Sequence, residues 1–505
     1  MNTPSREIFR KYTDDETFEK IVSYETMSKM WEHCVSEYSE KPAIYDKGEY
    51  FSYSEIEEKA AKLRTALAGK VEASYGASVG LLCPNGLDFV TGLIAITTLG
   101  FQAVVLPAQL DEGTIFGCSM KFGMKALVYD PVMGEKLSVV KAQNPNLPLI
   151  GTNEGSDEKT AMRTDFDGSV PCVTMFTGGT TGRSKGAVLS NRAVMTGVKN
   201  GCYGVKEVFG LRYILVLPLS HVFGLIRTLL TCLYTGGTLC ICRDNKDMFK
   251  DCAMFRPNLL VAVPALAEMA LLLSKKFGKN MLGEDMRYII AGAATVAPYL
   301  VSEYEKFGIE LLPGYGLTES ANLVSGNPEA KTKPESVGIM YPDQEYKIVD
   351  GELWIKGANM MDGYVGEDIE AFEDGFFKTG DLVRFDDEGF LYITGRIKEI
   401  IVLDNGENVS PAEVETVFNE LKFVQDSQLY EDVSENGKHF LALEVVLREP
   451  EVAALNMDNP KEFIMKELEK INASLPDYQR AMKIIIRDTD FKRTPSMKIE
   501  RYHKC

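Results

Sequence analysis

This sequence predicts an α/β fold, with a large N-terminal domain of layered, mainly parallel sheets plus a small β-rich subdomain, followed by a small C-terminal α+β domain. Three observations predict it. Short apolar runs alternate with helix-length segments as far as Leu312; beyond Leu312 the pattern changes to hairpins; and after Gly395 comes a compact unit with its own helix signals. Alternating strand and helix is the pattern of parallel sheets covered by helices.

Taken in order, Val79 to Cys83, Gln102 to Leu106, Ala126 to Tyr129, Tyr213 to Leu217, Leu259 to Val263 and Tyr288 to Ile290 are apolar runs of buried-strand length. Ala265 to Lys275 has helical periodicity. Phe89 to Leu110 is uncharged and long enough to raise the question of a membrane span. Thr91, Thr97, Thr98, Gly100, Gln102 and Pro107 interrupt it, so it reads as a buried helix ending near Gly100 and a strand after it. No membrane span is expected. The hairpins are Glu345 to Val349 with Glu352 to Ile355, turned at Asp350-Gly351, and Leu382 to Phe385 with Phe390 to Thr394, turned at Asp386 to Gly389. Ser410-Pro411-Ala412-Glu413 carries the N-cap, N1 proline and N3 acid of a capping box. The expected domains are therefore 1–395 and 396–505.

At 505 residues the chain exceeds one ordinary core. Its net charge of -18 argues against a nucleic-acid surface, which shows basic clustering. The ten cysteines include no CxxC, which suits buried thiols in a reducing compartment, and the four histidines lack paired zinc-ligand spacing. Met1 to Lys20 is charged throughout, unlike a secretory signal, so a cytoplasmic enzyme is the expectation.

The most informative segment is Thr177-Gly178-Gly179-Thr180-Thr181-Gly182-Arg183-Ser184-Lys185-Gly186. Glycines let backbone amides approach phosphate oxygens, the threonines add hydroxyl donors, and Arg183 and Lys185 bring positive charge. It follows the apolar run Val173 to Phe176 and precedes a helix expected from Asn191. A Walker loop would need lysine and a hydroxyl residue directly after the last glycine, but two residues separate Gly182 from Lys185 and Gly186 follows. A kinase or GTPase of that class is disfavoured, and a plain surface loop seldom combines these residues.

Four further motifs follow in order: Tyr315-Gly316-Leu317-Thr318-Glu319-Ser320, Lys378-Thr379-Gly380-Asp381, Gly395-Arg396-Ile397-Lys398 and Pro495-Ser496-Met497-Lys498. Together with the glycine-rich loop, the set resembles the adenylate-forming superfamily of acyl-CoA synthetases, luciferases and peptide-synthetase adenylation domains, over nearly the whole chain. Gly178-Gly179, the stretch Tyr315 to Pro328 and the turn Leu217 to Gly224 look most like fatty acyl-CoA synthetases.

What the resemblance implies also makes chemical sense. A carboxylate attacking the α-phosphate of ATP meets another anion, so cations are needed where charge accumulates. The implied catalytic residues are Lys498, Glu319, Thr177 and Lys185, with Glu319 as the Mg²⁺ ligand. The implied ATP and AMP contacts are Thr177, Gly178, Gly179, Thr180, Thr181, Gly182, Lys185, Ala293, Ala294, Gly314, Tyr315, Gly316, Leu317, Thr318, Asp381, Arg396 and Lys498. Tyr315 would stack on adenine against the Ala291 to Ala294 backbone, Asp381 would accept the ribose hydroxyls, and Arg396 would add a ribose or phosphate contact. Lys498 would reach the α-phosphate across the domain interface, although Met497 stands where relatives commonly have glycine. Lys398 matches the hinge about which the small domain rotates between half-reactions, and Gly406, Glu407 and Asn408 would line the thiol path.

His221, Val222, Phe223 and Gly292 would form the acyl pocket. Amino-acid-activating relatives place an aspartate beside the histidine to pair the substrate ammonium. Val222 stands here, so a zwitterion would be desolvated without a partner. Fatty or aryl monocarboxylates fit better. ATP and Mg²⁺ are the expected cofactors and CoA the expected co-substrate. Two other readings remain at this point: a stand-alone ligase loading a carrier-protein phosphopantetheine, and a non-catalytic nucleotide or acyl-adenylate sensor.

Overall fold

The computed structural model describes residues 2–72, 74–155, 158–177, 185–366, 371–403, 407–434, 439–493 and 499–501. Its largest sheet has fourteen strands, and its centre is parallel. Arg212–Leu215, Leu259–Ala262, Tyr288–Ala291 and the first half of Glu310–Leu317 run side by side, with Leu260 opposite Ile289 and Ile290 opposite Leu312. These strands are apolar on both faces because helices cover the sheet, as parallel layers require.

Glu310–Leu317 is where the sheet changes mode. Its first half ends with Pro313 paired in parallel to Ala291. Its second half, from Gly314, pairs antiparallel with Asn322–Gly326. Beyond that change lie the antiparallel strands Gly338–Met340, Phe390–Arg396, Phe376–Phe385, Glu352–Gly357 and Gln344–Val349. Both hairpins read from the sequence form, turning through left-handed Asp350 and Gly351 in one and Gly389 in the other. Ligand sites in α/β proteins collect where sheet topology changes.

A second sheet of seven strands runs Gly363–Tyr364, Gly186–Ser190, Pro171–Phe176, Gln102–Val105, Ser78–Leu82, Ala126–Tyr129 and Leu149–Gly151. The glycine-rich loop thus joins two antiparallel neighbours, with Phe176 opposite Gly186, and the helix Asn191–Asn200 starts only after the second strand. Leu87–Thr97 is the buried helix expected, with the strand Gln102–Val105 behind it. Its threonines hydrogen-bond within the helix: the Thr97 hydroxyl donates to Leu93 O at 2.8 Å and that of Thr98 to Ile94 O at 2.5 Å. A polar side chain can be buried when it is satisfied in this way. Among the described residues no helix is long and apolar enough to cross a membrane.

A separate apolar core, built on Val409, Val414, Phe418, Leu443, Val445 and Ile464, holds the C-terminal sheet of Val424–Val433, His439–Leu447 and Lys483–Arg487. Helices Pro411–Asn419 and Pro460–Ser474 pack on it. The Ser410 capping box does not form. The Ser410 hydroxyl donates instead to Thr394 O at 2.8 Å, tying the start of this unit to the preceding strand. A cap bond was exchanged for a tertiary one because Gly395 lets Ser410 approach; a Cβ there would stand 2.3 Å from Ser410 Oγ.

The unit rests on the large part through Arg448, whose Nε lies 2.8 Å and Nη2 2.7 Å from Glu268 Oε1. Its guanidinium also sits 4.5 Å from the centre of the Tyr299 ring.

Candidate active site

The strand Glu310–Leu317 and the tight turn Thr318–Ser320 carry Gly314, Tyr315, Gly316, Leu317, Thr318 and Glu319 on one continuous stretch. Tyr315 and Glu319 face two different clusters, one at each end.

At the first, the Tyr315 hydroxyl donates to Asp381 Oδ2 at 2.5 Å, and Arg396 Nε lies 2.5 Å from Asp381 Oδ1. Asp381 and Arg396 are cross-strand partners, so the ion pair follows from register. The Asp381 amide donates to Thr379 Oγ1 at 3.1 Å, and left-handed Gly380 donates to Glu352 Oε1 at 2.8 Å, which fixes the carboxylate from behind. Asp381 is 2% exposed. Burial and the adjacent Asp381 charge push the Tyr315 phenol well up, so it stays protonated. Burial opposes the Arg396 charge, but Asp381 outweighs it, and the guanidinium is held more firmly charged than usual. The result is a buried carboxylate with a phenol and a guanidinium fixed on it.

At the second cluster, Glu319 Oε1 accepts the Tyr364 hydroxyl at 2.6 Å, and Lys185 Nζ lies 4.9 Å from the centre of the same ring. Tyr364 reaches this place because Gly363–Tyr364 pairs with Gly186–Ser190, setting Tyr364 opposite Ala187. The Met361 amide donates to Glu319 O at 2.8 Å and secures the turn. Thr177 and Lys185 close the mouth of the glycine-rich loop, the Thr177 amide donating to Lys185 O at 2.9 Å. Gly178 to Ser184, Gly182 among them, lie outside the described residues, as do Gly406 and Lys498. Tyr364 was not picked out from the sequence. Only pairing between distant strands brings it to Glu319, and no local spacing marks it.

Between the clusters, Tyr288–Ala291 ends at Gly292, Ala293 and Ala294. Ala293 is left-handed at φ 68°, strain that a functional turn can retain. A Cβ on Gly292 would stand 3.0 Å from Gly314 O and 3.2 Å from Phe223 Cζ, so a larger residue here would press on both. Phe223 and Val222 are buried, and His221 is half-buried. Their turn is tight: the His221 amide donates to Pro218 O at 3.1 Å, and a Cβ on Gly224 would stand 2.3 Å from that oxygen. Asn85 clasps it from the other sheet, its Nδ2 donating to Leu217 O and its Oδ1 accepting from Leu219 N, both at 2.9 Å. Sequence reasoning missed Asn85 as well.

Two expected groups stand apart. Lys398 is exposed in the short turn Ile397–Glu399, and Glu407 and Asn408 are exposed where the chain enters the strand Asn408–Val409, which pairs with Ile401–Val402. Among the described residues no group of three or more His, Cys, Asp or Glu could hold a metal by itself. A single carboxylate such as Glu319 still suits magnesium, which keeps waters and binds through one or two carboxylates plus substrate phosphates.

A lysine that shares the Tyr364 ring with the carboxylate of Glu319, and a buried acid held by Tyr315 of the same strand as Glu319, set the site where an α/β sheet changes from parallel to antiparallel. The chain belongs to the AMP-binding enzyme family, whose model matches residues 31–365. It is 28% identical over 489 residues to the long-chain-fatty-acid–CoA ligase of Salmonella typhimurium, covering 85% of this chain and 86% of that protein. In fold it is similar to the anthranilate CoA ligase AuaEII in complex with anthranoyl-AMP, with a TM-score of 0.83 at 18% identity over 95% of this chain and 96% of that one. It is similar also to the o-succinylbenzoate CoA synthetase of Bacillus subtilis in complex with ATP and magnesium ion, with a TM-score of 0.75 at 23% identity over 94% and 98% of the two chains.

Proposed function

We propose that this chain, an adenylate-forming acyl-CoA ligase, activates a carboxylic acid with an apolar fatty or aryl body and passes it to coenzyme A. The observation that carries the assignment of roles is the strand Glu310–Leu317, with Tyr315 on Asp381 and Arg396 at one end and Glu319 on Tyr364 and Lys185 at the other. That is one adenosine end and one phosphate end on a single rigid element.

The acid carboxylate attacks the α-phosphorus of ATP, the bond to the β-phosphate oxygen breaks, and pyrophosphate leaves with an acyl-adenylate behind. Tyr315 stacks on adenine and Asp381 accepts the ribose hydroxyls. Arg396 is then shared between Asp381 and the nucleotide. The loop Thr177 to Lys185 holds the β- and γ-phosphates, and Lys185 stays near them through the Tyr364 ring. Magnesium would be held by Glu319 with phosphate oxygens and supplies charge neutralisation there. Lys498 stabilises charge growing on the α-phosphate. In the second step the CoA thiol, losing its proton, attacks the acyl carbonyl and AMP departs. For this step the unit 396–505 turns about Lys398 and presents Gly406, Glu407 and Asn408 to the thiol path.

The fatty-acid ligase among the relatives supports the acyl reading, as does the apolar lining of Val222 and Phe223. Acid-dependent formation of AMP and a thioester from ATP and CoA tests it, with a phosphopantetheine-bearing carrier protein as the rival acceptor. Thioester on CoA supports the proposal; thioester on the carrier alone would replace its acceptor, and nucleotide binding without turnover would leave only a sensor.

A further inference from the structure

The helical segment Phe223–Leu230 starts at the acyl pocket and carries Arg227 one turn further in. Arg227 is 2% exposed, yet its Nε and Nη1 are buried with no hydrogen-bond partner. Arg64, equally buried, shows how this chain otherwise treats such a group: Nε donates to Thr160 O at 2.8 Å, Nη1 to Thr98 Oγ1 at 3.0 Å, and Nη2 pairs with Glu57. Among the described residues no ion pair includes Arg227. The buried Tyr213 hydroxyl lies against this guanidinium, and neither the side-chain amide nitrogen nor the oxygen of Asn200 has a partner. Asn200 adjoins Gly201, where a Cβ would stand 3.3 Å from Arg227 Cδ.

Arg227 lines a cavity of about 10 Å³ with Tyr203, Ile290, Leu312, Pro313 and Leu323. Leu323, which lines this cavity, also packs on Gly314, where a Cβ would stand 2.7 Å from it, and Gly314 O in turn closes against Gly292 beside Phe223, so this cavity and the slot at Gly292 share these neighbours. A guanidinium buried without an anion is costly, and an alkyl chain arriving beside it would not relieve that cost. A carboxylate would, through paired charge-assisted hydrogen bonds.

We propose that Arg227 is the distal specificity residue of the acyl pocket and that the acid is a dicarboxylate: one carboxylate is activated, an apolar body fills the slot at Phe223 and Gly292, and the second carboxylate pairs with Arg227. This rests on the ligase reading above and narrows it from monocarboxylates to diacids.

The test is ATP–pyrophosphate exchange over alkyl and aryl acids in matched pairs, each monoacid beside the diacid of equal length, for the wild type, Arg227→Leu and Arg227→Lys. The wild type should favour one length of diacid over its monoacid by roughly 10²-fold or more in kcat/KM, the scale on which an unpaired buried polar group discriminates. Arg227→Leu should raise KM for that diacid with kcat nearly kept and should bring the monoacid level with it, while Arg227→Lys keeps part of the preference. Exchange by the wild type with monoacids alone, or an unchanged diacid-to-monoacid ratio in Arg227→Leu, would overturn the proposal while leaving the ligase reading intact. Exchange with no acid at all would overturn both. The wild-type comparison needs no variant to fold.

Discussion

Single side chains decide whether the two ends of the site work as assigned. Glu319→Gln keeps the shape but removes the charge that would meet magnesium, and pyrophosphate exchange should fall by about 10²–10³, the loss typical for one preorganised electrostatic group. Tyr364→Phe separates two roles of one residue. Its ring stays beside Lys185 while its hydroxyl bond to Glu319 is lost. Exchange should drop by less than for Glu319→Gln, with the larger change in KM for ATP; a drop equal to that of Glu319→Gln would mean that the hydroxyl itself takes part in the chemistry. At this scale the sequence was informative where a motif is contiguous. Tyr315, Thr318 and Glu319 share one strand and turn, and the structure keeps them together. It was silent where partners come from distant parts of the chain: sheet pairing brings Tyr364 to Glu319, and the packing of one sheet against the other brings the Asn85 side chain to Leu217 and Leu219.

At the scale of elements, the hairpin around Asp386 shows how locally the subdomain is held. Asp386 accepts from the Phe390 amide at 2.9 Å and the Glu388 amide at 3.0 Å, while Lys333 Nζ lies 2.6 Å from its other oxygen. Burial works against the carboxylate, but Lys333 and the two amides prevail and hold it down to about 2 from an ordinary 3.8. A depressed acid stabilises the fold above its unfolded value and ceases to do so as pH falls through its folded one. Stability should therefore decline between about pH 4 and pH 2 in part through this turn. Asp386→Asn should be less stable at neutral pH and show a shallower acid decline in urea melts; identical acid limbs would remove Asp386 from the account. Strands and hairpins were legible from the sequence to within a few residues, since apolar runs and turn residues are local signals. The Ser410 cap was not. A tertiary acceptor, Thr394 O, competed with the local one and won.

For the whole molecule, the two proposed half-reactions require one large body that binds the nucleotide and a small one that changes its position between them. Lys398→Pro should retain pyrophosphate exchange but lose thioester formation, because proline at an exposed hinge restricts φ without touching the nucleotide site. Equal loss of both half-reactions would refute Lys398 as the hinge. Arg448→Ala should loosen the observed seating of the small unit. It leaves Glu268 without its cation, a loss on the order of 3 kcal/mol for a buried pair, and should expose 396–410 to limited proteolysis. The family and the overall architecture were legible in five ordered motifs. What the sequence left hidden is Arg227: it is the one charge in the helical run Phe223–Leu230, and only its burial with Nε and Nη1 unpartnered makes it stand out.

In the proposed reaction the strand Glu310–Leu317 sets ATP against a carboxylic acid so that pyrophosphate is the leaving group. Acid-dependent ATP–pyrophosphate exchange measures that step alone, with neither CoA nor the second domain position required. Exchange should need both acid and magnesium and fall by about 10²–10³ in Asp381→Ala and Lys498→Ala. Exchange absent with every acid, or unaffected by either substitution, would contradict the proposed reaction.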